Sequence, residues 1–417
     1  HIVLCFCFVA LTIFPGNVQA MVFPMPDWQE SSPEAQGIDS ERLENAMRYL
    51  NENCGPQGTS QAMVIVNGFI IWKGNDIYNE HYVWSCAKSF TSTILGLLID
   101  DGKCTLDSYG KDYDANLTVH YPNLRLRHFV TMTSGYNAIG GDQSGIPFDA
   151  ATPLYAPPGS ANDYWDAAMN ELSYVLTLIN GRAMDSLFRE RIADPIGMDP
   201  NKWSWGDWGE IDGLKVNGGA GNYGGISISA SELARLGLLF LNRGCWDGVS
   251  LISSSWIDQA TRLQVPISVP WSGHRLDVGG QYGFNWWVND PFRIKWYGAP
   301  EGTYAAAGLN NNKLFVIPKW RMVVVRLGED DDGNIADEIW GTFFSMIDGA
   351  RQNIQFNCQS DFDNDGDWDG SDLAAMVKYL GQADCPCFCP EDLDRNGIVD
   401  VIDLSKFAEG FGSSGCS

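Results

Sequence analysis

Ser85 and Lys88 stand three residues apart in Trp84-Ser85-Cys86-Ala87-Lys88-Ser89-Phe90. Apolar residues then recur at helical spacing, at Phe90, Ile94, Leu97 and Leu98, until Asp100-Asp101-Gly102 stops the run. The spacing predicts a helix with Ser85 at its N-terminus and Lys88 one turn on, on the same face. A serine hydroxyl within reach of an amine is the chemistry of an activated nucleophile. The free N–H groups and positive dipole end of the helix would favour an oxyanion forming beside Ser85. A Ser-x-x-Lys spacing also arises by chance, with the serine serving only as a helix cap. Other residues therefore have to carry the reading.

The elements around this pair alternate in type. Ser40 reads as the N-cap of a helix whose apolar stripe is Leu43, Ala46, Met47 and Leu50. Ala62 to Val66 and Phe69 to Trp72 flank Asn67-Gly68, a strong hairpin pattern. Residues 105–235 are rich in turns and read as a helical subdomain, and Gly224-Gly225 precedes a helix from Ser231 to Leu241. Three β-rich runs follow, Tyr282 to Val288, Lys313 to Ile317 and Met322 to Leu327, then a helix from about Ala336 to Ala350. This order predicts an α+β domain with a largely antiparallel sheet flanked by helices.

The chain has 417 residues, 45% hydrophobic and 12% aromatic, enough for a well-filled core. Its formal charge of −25 argues against nucleic acid or an anionic membrane as partner, since both need a basic face. Ile2 to Phe14 is an apolar run, and Val18-Gln19-Ala20 is a small-residue cleavage site, so residues 1–20 read as a secretory signal of bacterial type. That run is too short to span a bilayer, and no other stretch is long and apolar enough. The protein is expected outside the cell. Of 11 cysteines, Cys5 and Cys7 would leave with the signal; the nine that remain are an odd number and do not fix a pairing. Cys86 reads as a small buried residue, and Trp203, Trp205 and Trp208 as packing. The five histidines form no spaced cluster, so no zinc site is expected beside Ser85.

Residues 358–417 are a different module, after a larger domain over 21–355. Asp361, Asp363, Asp365, Asp367, Asp369 and Asp372 form an acidic loop with Gly366 at its sixth position. Asp392, Asp394, Asn396, Ile398, Asp400 and Asp403 repeat it with Gly397. Each loop leads into a short helix. Oxygen ligands at this spacing are those of an EF-hand-type calcium loop, with Asp in place of Glu at the twelfth position. Ca2+ is the one cofactor expected, with none for catalysis.

From about Trp28 to Arg351 the chain resembles the serine β-lactamase and penicillin-binding-protein superfamily, most of all its β-lactamase-related esterases and 6-aminohexanoate-oligomer hydrolases. Ser85 to Phe90 carry the Ser-x-x-Lys motif. His128 to Gly135, Pro158-Gly159 leading to Tyr164, Pro195 to Met198, Gly224-Gly225 leading to Ser231 to Gly237, and Tyr282 to Trp287 follow in family order. The resemblance implies a site in the groove between sheet and helical subdomain. It casts Ser85 as nucleophile, Lys88 as base and Tyr164 as proton relay. The Ser85 N–H and a backbone N–H near Asn310 would be the oxyanion donors. Two positions depart from the pattern. The second motif reads Tyr164-Trp165-Asp166, a carboxylate where the family has an amide. Asp166 either points away, or is protonated, or leaves Tyr164 more of the base role. The third motif, Gly308-Leu309-Asn310-Asn311-Asn312, holds no basic residue, which weighs against a substrate carboxylate. The implied activity is hydrolysis of a carboxylic ester or small amide. The alternatives are a β-lactamase or D,D-peptidase, and a non-catalytic, surface-anchored binding protein on a hydrolase scaffold. The C-terminal repeat resembles a dockerin, which implies a cohesin-like or cell-surface partner. The positions that would face it differ between repeats, Gly370-Ser371 against Val401-Ile402.

Overall fold

The computed structural model describes residues 21–330, 336–351, 360, 368–382, 391–393 and 398–412. The chain divides into two compact units, Met21–Asn353 and a second built from His1–Ala20 with Ile354–Ser417. The expected signal segment and the loop positions Asp361, Asp363, Asp365, Asp367, Asp394 and Asn396 lie outside the described residues.

The larger unit is built on a six-stranded antiparallel sheet. Its spatial order is Trp287–Val288, Tyr304–Gly308, Asn312–Ile317, Met322–Leu327, Gln61–Val66 and Phe69–Lys73. Valine and isoleucine dominate the central strands, and alternate side chains serve alternate faces. Met63, Ile65, Leu314, Val316, Val323 and Val325 join the core shared with the Ala87–Asp100 and Ala230–Leu241 helices. Val64, Phe315, Ile317 and Val324 pack on the other side, against the Ser40–Asn53 and Asp337–Ala350 helices. The hairpin at Asn67-Gly68 forms as its residues predict, with φ of 52° and 86°. The first long helix starts at Ser40, but its cap is Asp39, whose side chain accepts the Arg42 N–H.

The structure differs from the sequence-based expectation in three places. Tyr282 to Trp286 stay outside the main sheet, which takes only Trp287 and Val288 of that run. Tyr304–Gly308, with the alanine-rich sequence Tyr-Ala-Ala-Ala-Gly, is a strand nonetheless, because it is paired on both sides and covered on both faces. The segment read as helical also carries strands. Trp203–Trp205 and Ile226–Ser229 form a small sheet with Glu80–Tyr82, and Asp207–Ile211 pairs with Leu214–Asn217. Trp203 and Trp205 are buried there against Phe188.

In the second unit, Gly370–Val377 and Val401–Gly410 are helices with one design. Asp369 and Asp400 cap them, and Asp372 and Asp403 accept the cap residues' N–H groups at 2.9 and 2.8 Å. Trp368, Met376, Val399 and Phe407 make a small core of their own.

Candidate active site

The main-chain bend before the Ala87–Asp100 helix places Ser85. Trp84 adopts a left-handed conformation, φ 49°, inside a single 3-10 turn, Trp84–Cys86. Such a conformation is costly outside glycine and persists where the surroundings enforce it. Two glycines enclose the turn. A Cβ at Gly308 would lie 2.1 Å from the Val83 carbonyl oxygen and 3.3 Å from the Ser85 nitrogen. One at Gly221 would lie 2.0 Å from the Trp84 oxygen and 3.0 Å from the same nitrogen. Only backbone fits at either place, so the Ser85 peptide is held between the end of a sheet strand and a glycine-rich loop.

Lys88 is 1% exposed. Its ammonium donates to Ser85 Oγ at 2.8 Å and to the Ala220 carbonyl at 2.8 Å, and lies 2.7 Å from Asp166 Oδ1. All three protons have an acceptor. Ser85 Oγ accepts from Lys88, which leaves the serine's own proton to the Tyr164 hydroxyl, its other hydrogen-bond partner. Tyr164 is stacked on Trp287 at 5.7 Å, meets Tyr282 edge-on at 6.1 Å, and has Lys88 4.5 Å from its ring centroid. Burial pushes its phenol up, and the nearby Asp166 charge pushes the same way.

Asp166 opens the Asp166–Asn180 helix, where a negative charge suits the dipole. Burial alone would raise its carboxyl. The charges of Lys88 and Arg275 outweigh burial and hold it well below the usual carboxylate range. Arg275 Nη1 is 2.8 Å from Asp166 Oδ2 and also grips Asp142, which accepts the Asp166 N–H and so caps the helix. Gln143 donates to the same oxygen at 2.9 Å. Of the arrangements open to Asp166, the structure shows the ionised one, turned onto Lys88.

Ser85, Lys88, Tyr164 and Asp166 are thus brought together. Asn310 sits in the turn after Gly308, its side chain on Glu329 and its carbonyl taking Arg326. It is Gly308, not Asn310, that touches the Ser85 backbone. The cation beside the asparagine run, Lys313, alternates onto the sheet face that carries Phe315 and Ile317, away from the Ala87–Asp100 helix. Cys86 is fully buried, its thiol pushed up to about 12 by burial. Arg275, Asp142 and Gln143 carry no signal in the sequence, and Gly308 enters it only as the start of the third motif. They are polar or small residues on loops and a strand end, and only the fold brings them to Asp166 and Ser85.

Among the described residues no group of three or more His, Cys, Asp or Glu is placed to hold a metal ion, and no helix is long and apolar enough to cross a membrane. In the second unit, Asp372 and Asp403 are fully buried carboxylates at equivalent places.

The chain belongs to the beta-lactamase family, whose profile matches residues 81–338. It is a hydrolase of that fold. A curated relative, an uncharacterized protein of Alkalihalophilus pseudofirmus, is 24% identical over 267 residues, 59% of this chain and 73% of its own. A Bacillus anthracis protein assigned as a 6-aminohexanoate-dimer hydrolase has a structure similar to this one at 18% identity, with a TM-score of 0.56 over 80% of this chain and 90% of that one. A family VIII carboxylesterase is similar at 16% identity and a TM-score of 0.57, over 75% and 99%. At these identities the likeness is one of fold.

Proposed function

We propose that the protein is an exported serine hydrolase that cleaves an uncharged carboxylic ester or small amide through an acyl-enzyme on Ser85. One observation supports it above the others. The Ser85 hydroxyl is clamped by an ammonium whose remaining protons are all engaged, and its own proton faces a buried tyrosine. Ser85 Oγ attacks the carbonyl carbon and its proton passes to Tyr164, acting as phenolate beside the Lys88 ammonium. The Ser85 N–H, next to the end of the Tyr304–Gly308 strand, stabilises the oxyanion. Tyr164 returns the proton to the leaving group, and water then takes the place of Ser85 in the same sequence. Lys88 is a fixed cation in this scheme and Tyr164 the base. Because the phenol is pushed up, its working fraction grows with pH, and the rate rises into the alkaline range.

The substrate class follows from charge. Lys88 and Arg275, the cations at the nucleophile, are neutralised by Asp166 and Asp142, and the asparagine run adds none. Neither of these two cations is left free for a substrate carboxylate, which favours a neutral ester over a penicillin or a D,D-peptide. Turnover of a short-chain nitrophenyl ester, lost in Ser85→Ala, is the test; an inactive wild type would refute it.

The C-terminal unit is a dockerin-like calcium module in this proposal. Its support is the repeated oxygen-only donor pattern and the matched capping aspartates. Added calcium should raise, and chelation lower, a melting transition of the full chain while ester hydrolysis persists. A melting profile indifferent to both would contradict it.

A further inference from the structure

The two acceptors that hold Lys88 apart from Ser85 are the two ends of one chain of amides. Lys88 donates to the Ala220 carbonyl. The Ala220 and Gly219 N–H groups both donate to Asn170 Oδ1, at 3.2 and 3.1 Å. Asn170 Nδ2 donates to Asn222 Oδ1 at 3.0 Å, and Asn222 Nδ2 to Gln143 Oε1 at 3.4 Å. Gln143 Nε2 donates to Asp166 Oδ2 at 2.9 Å, and the other oxygen of Asp166 meets Lys88 at 2.7 Å. The chain closes into a ring around the ammonium–carboxylate pair.

Its polarity is fixed from both ends. Two backbone donors on Asn170 Oδ1 force the Asn170 amide nitrogen towards Asn222. A carboxylate that only accepts forces the Gln143 nitrogen towards Asp166. The two constraints agree at Asn222, so no amide in the chain can flip without facing donor to donor or acceptor to acceptor. Chains of this kind polarise one another in a low-dielectric setting. Asn170 is fully buried, and Asp166 lies one helical turn before it on the same face. Gln143 and Asn222 come from two separate loops, over 137–150 and 218–225.

We propose that Gln143, Asn222 and Asn170 are positioning residues that act as one unit, tying both loops to the helix so that Lys88 stays aimed at Ser85. This rests on the reading of Ser85 as nucleophile. None of the three touches Ser85 itself. Their effect passes through Asp166 and the Ala220 carbonyl, the groups that orient the ammonium.

The test is a double-mutant cycle of Gln143→Met and Asn222→Leu, changes that keep shape and delete the amides. Each single variant should lower kcat on a nitrophenyl ester by about tenfold, the worth of one well-made hydrogen bond in a network, with KM within about twofold. The double variant should also lose about tenfold, because a chain broken once gains nothing from a second break. Losses that multiply to about a hundredfold, unchanged kcat in the singles, or a raised KM with kcat unchanged would each overturn the proposal. The same cycle in melting temperature assumes nothing about Ser85, and the double variant should melt no lower than the weaker single. If Ser85→Ala kept full turnover, the nucleophile reading would fall and the melting cycle alone would decide; additive losses there would overturn the inference. Should Asn222→Leu fail to fold, Asn222→Ala completes the cycle.

Discussion

Asp166 and Glu171 lie five residues apart on the same helix, and both are buried, at 3% and 0% exposure. Five residues turn the second away from the first. Asp166 faces Lys88 and Arg275 and is held ionised. Glu171 faces Asp114 and Tyr136, whose hydroxyl lies 3.2 Å from Glu171 Oε2 and 2.6 Å from the Pro147 carbonyl oxygen. Burial drives Glu171 well above the usual range and Asp114 adds to it, which favours the neutral acid. The same depth thus gives opposite states. Burial penalises the charge equally in kind; the sign of the neighbouring charges decides the outcome. The charge maintained at Asp166 against that penalty sits beside Ser85 and Lys88, whereas the acid beside Tyr136 belongs to the packing of the helical subdomain.

The widest separation between the two regions should appear in turnover. Tyr164→Phe, at the ionised end, should lose about 10²- to 10⁴-fold in kcat, the range for a general base. Glu171→Gln should leave kcat near wild type, since it replaces a neutral acid by a neutral amide. Equal losses in both would erase the distinction.

Stability separates them next. Asp166→Ala strands the Lys88 ammonium in the core, and losing one partner of a buried pair costs about 3–5 kcal/mol. Glu171→Gln keeps the hydrogen-bonding shape and should cost much less, as read by denaturant unfolding at pH 6. Asp166→Asn also sharpens the contrast kinetically. Removing the charge that helps push Tyr164 up should move the rising limb of the pH–rate profile to lower pH. An unmoved limb would show that Asp166 is not coupled to the base.

The smallest effect is in the pH dependence of melting. Glu171 has its folded pKa raised above the unfolded value of about 4.3. Its contribution is therefore complete below that value and is lost as pH rises through the raised one. Wild type should lose melting temperature across this alkaline-going window, and Glu171→Gln should lose less between pH 5 and pH 9. Parallel slopes would place the neutral acid elsewhere.

The chemistry at the helix start was legible because Ser85 and Lys88 are local, three residues apart on one face. Tyr164 and Asp166 were legible through the family pattern, and the hairpin through Asn67-Gly68. The strand Tyr304–Gly308 was not, because alanine and glycine have little β-propensity and it is pairing on both sides that makes it a strand. The state of Asp166 was not legible either. It depends on Arg275, which lies 109 residues away (275 − 166) on a loop with no periodic pattern. The Gln143–Asn222–Asn170 chain shares that character, since each joint is a tertiary contact.

The central claim is that Ser85, activated by this arrangement, takes the acyl group. Wild-type protein and Ser85→Ala would be exposed to a fluorophosphonate and their peptides read by mass spectrometry. The account predicts a single adduct on Ser85 in wild type, formed faster as pH rises, and none in Ser85→Ala. Labelling that persists unchanged in Ser85→Ala, or wild-type protein that remains unlabelled at every pH, would contradict it.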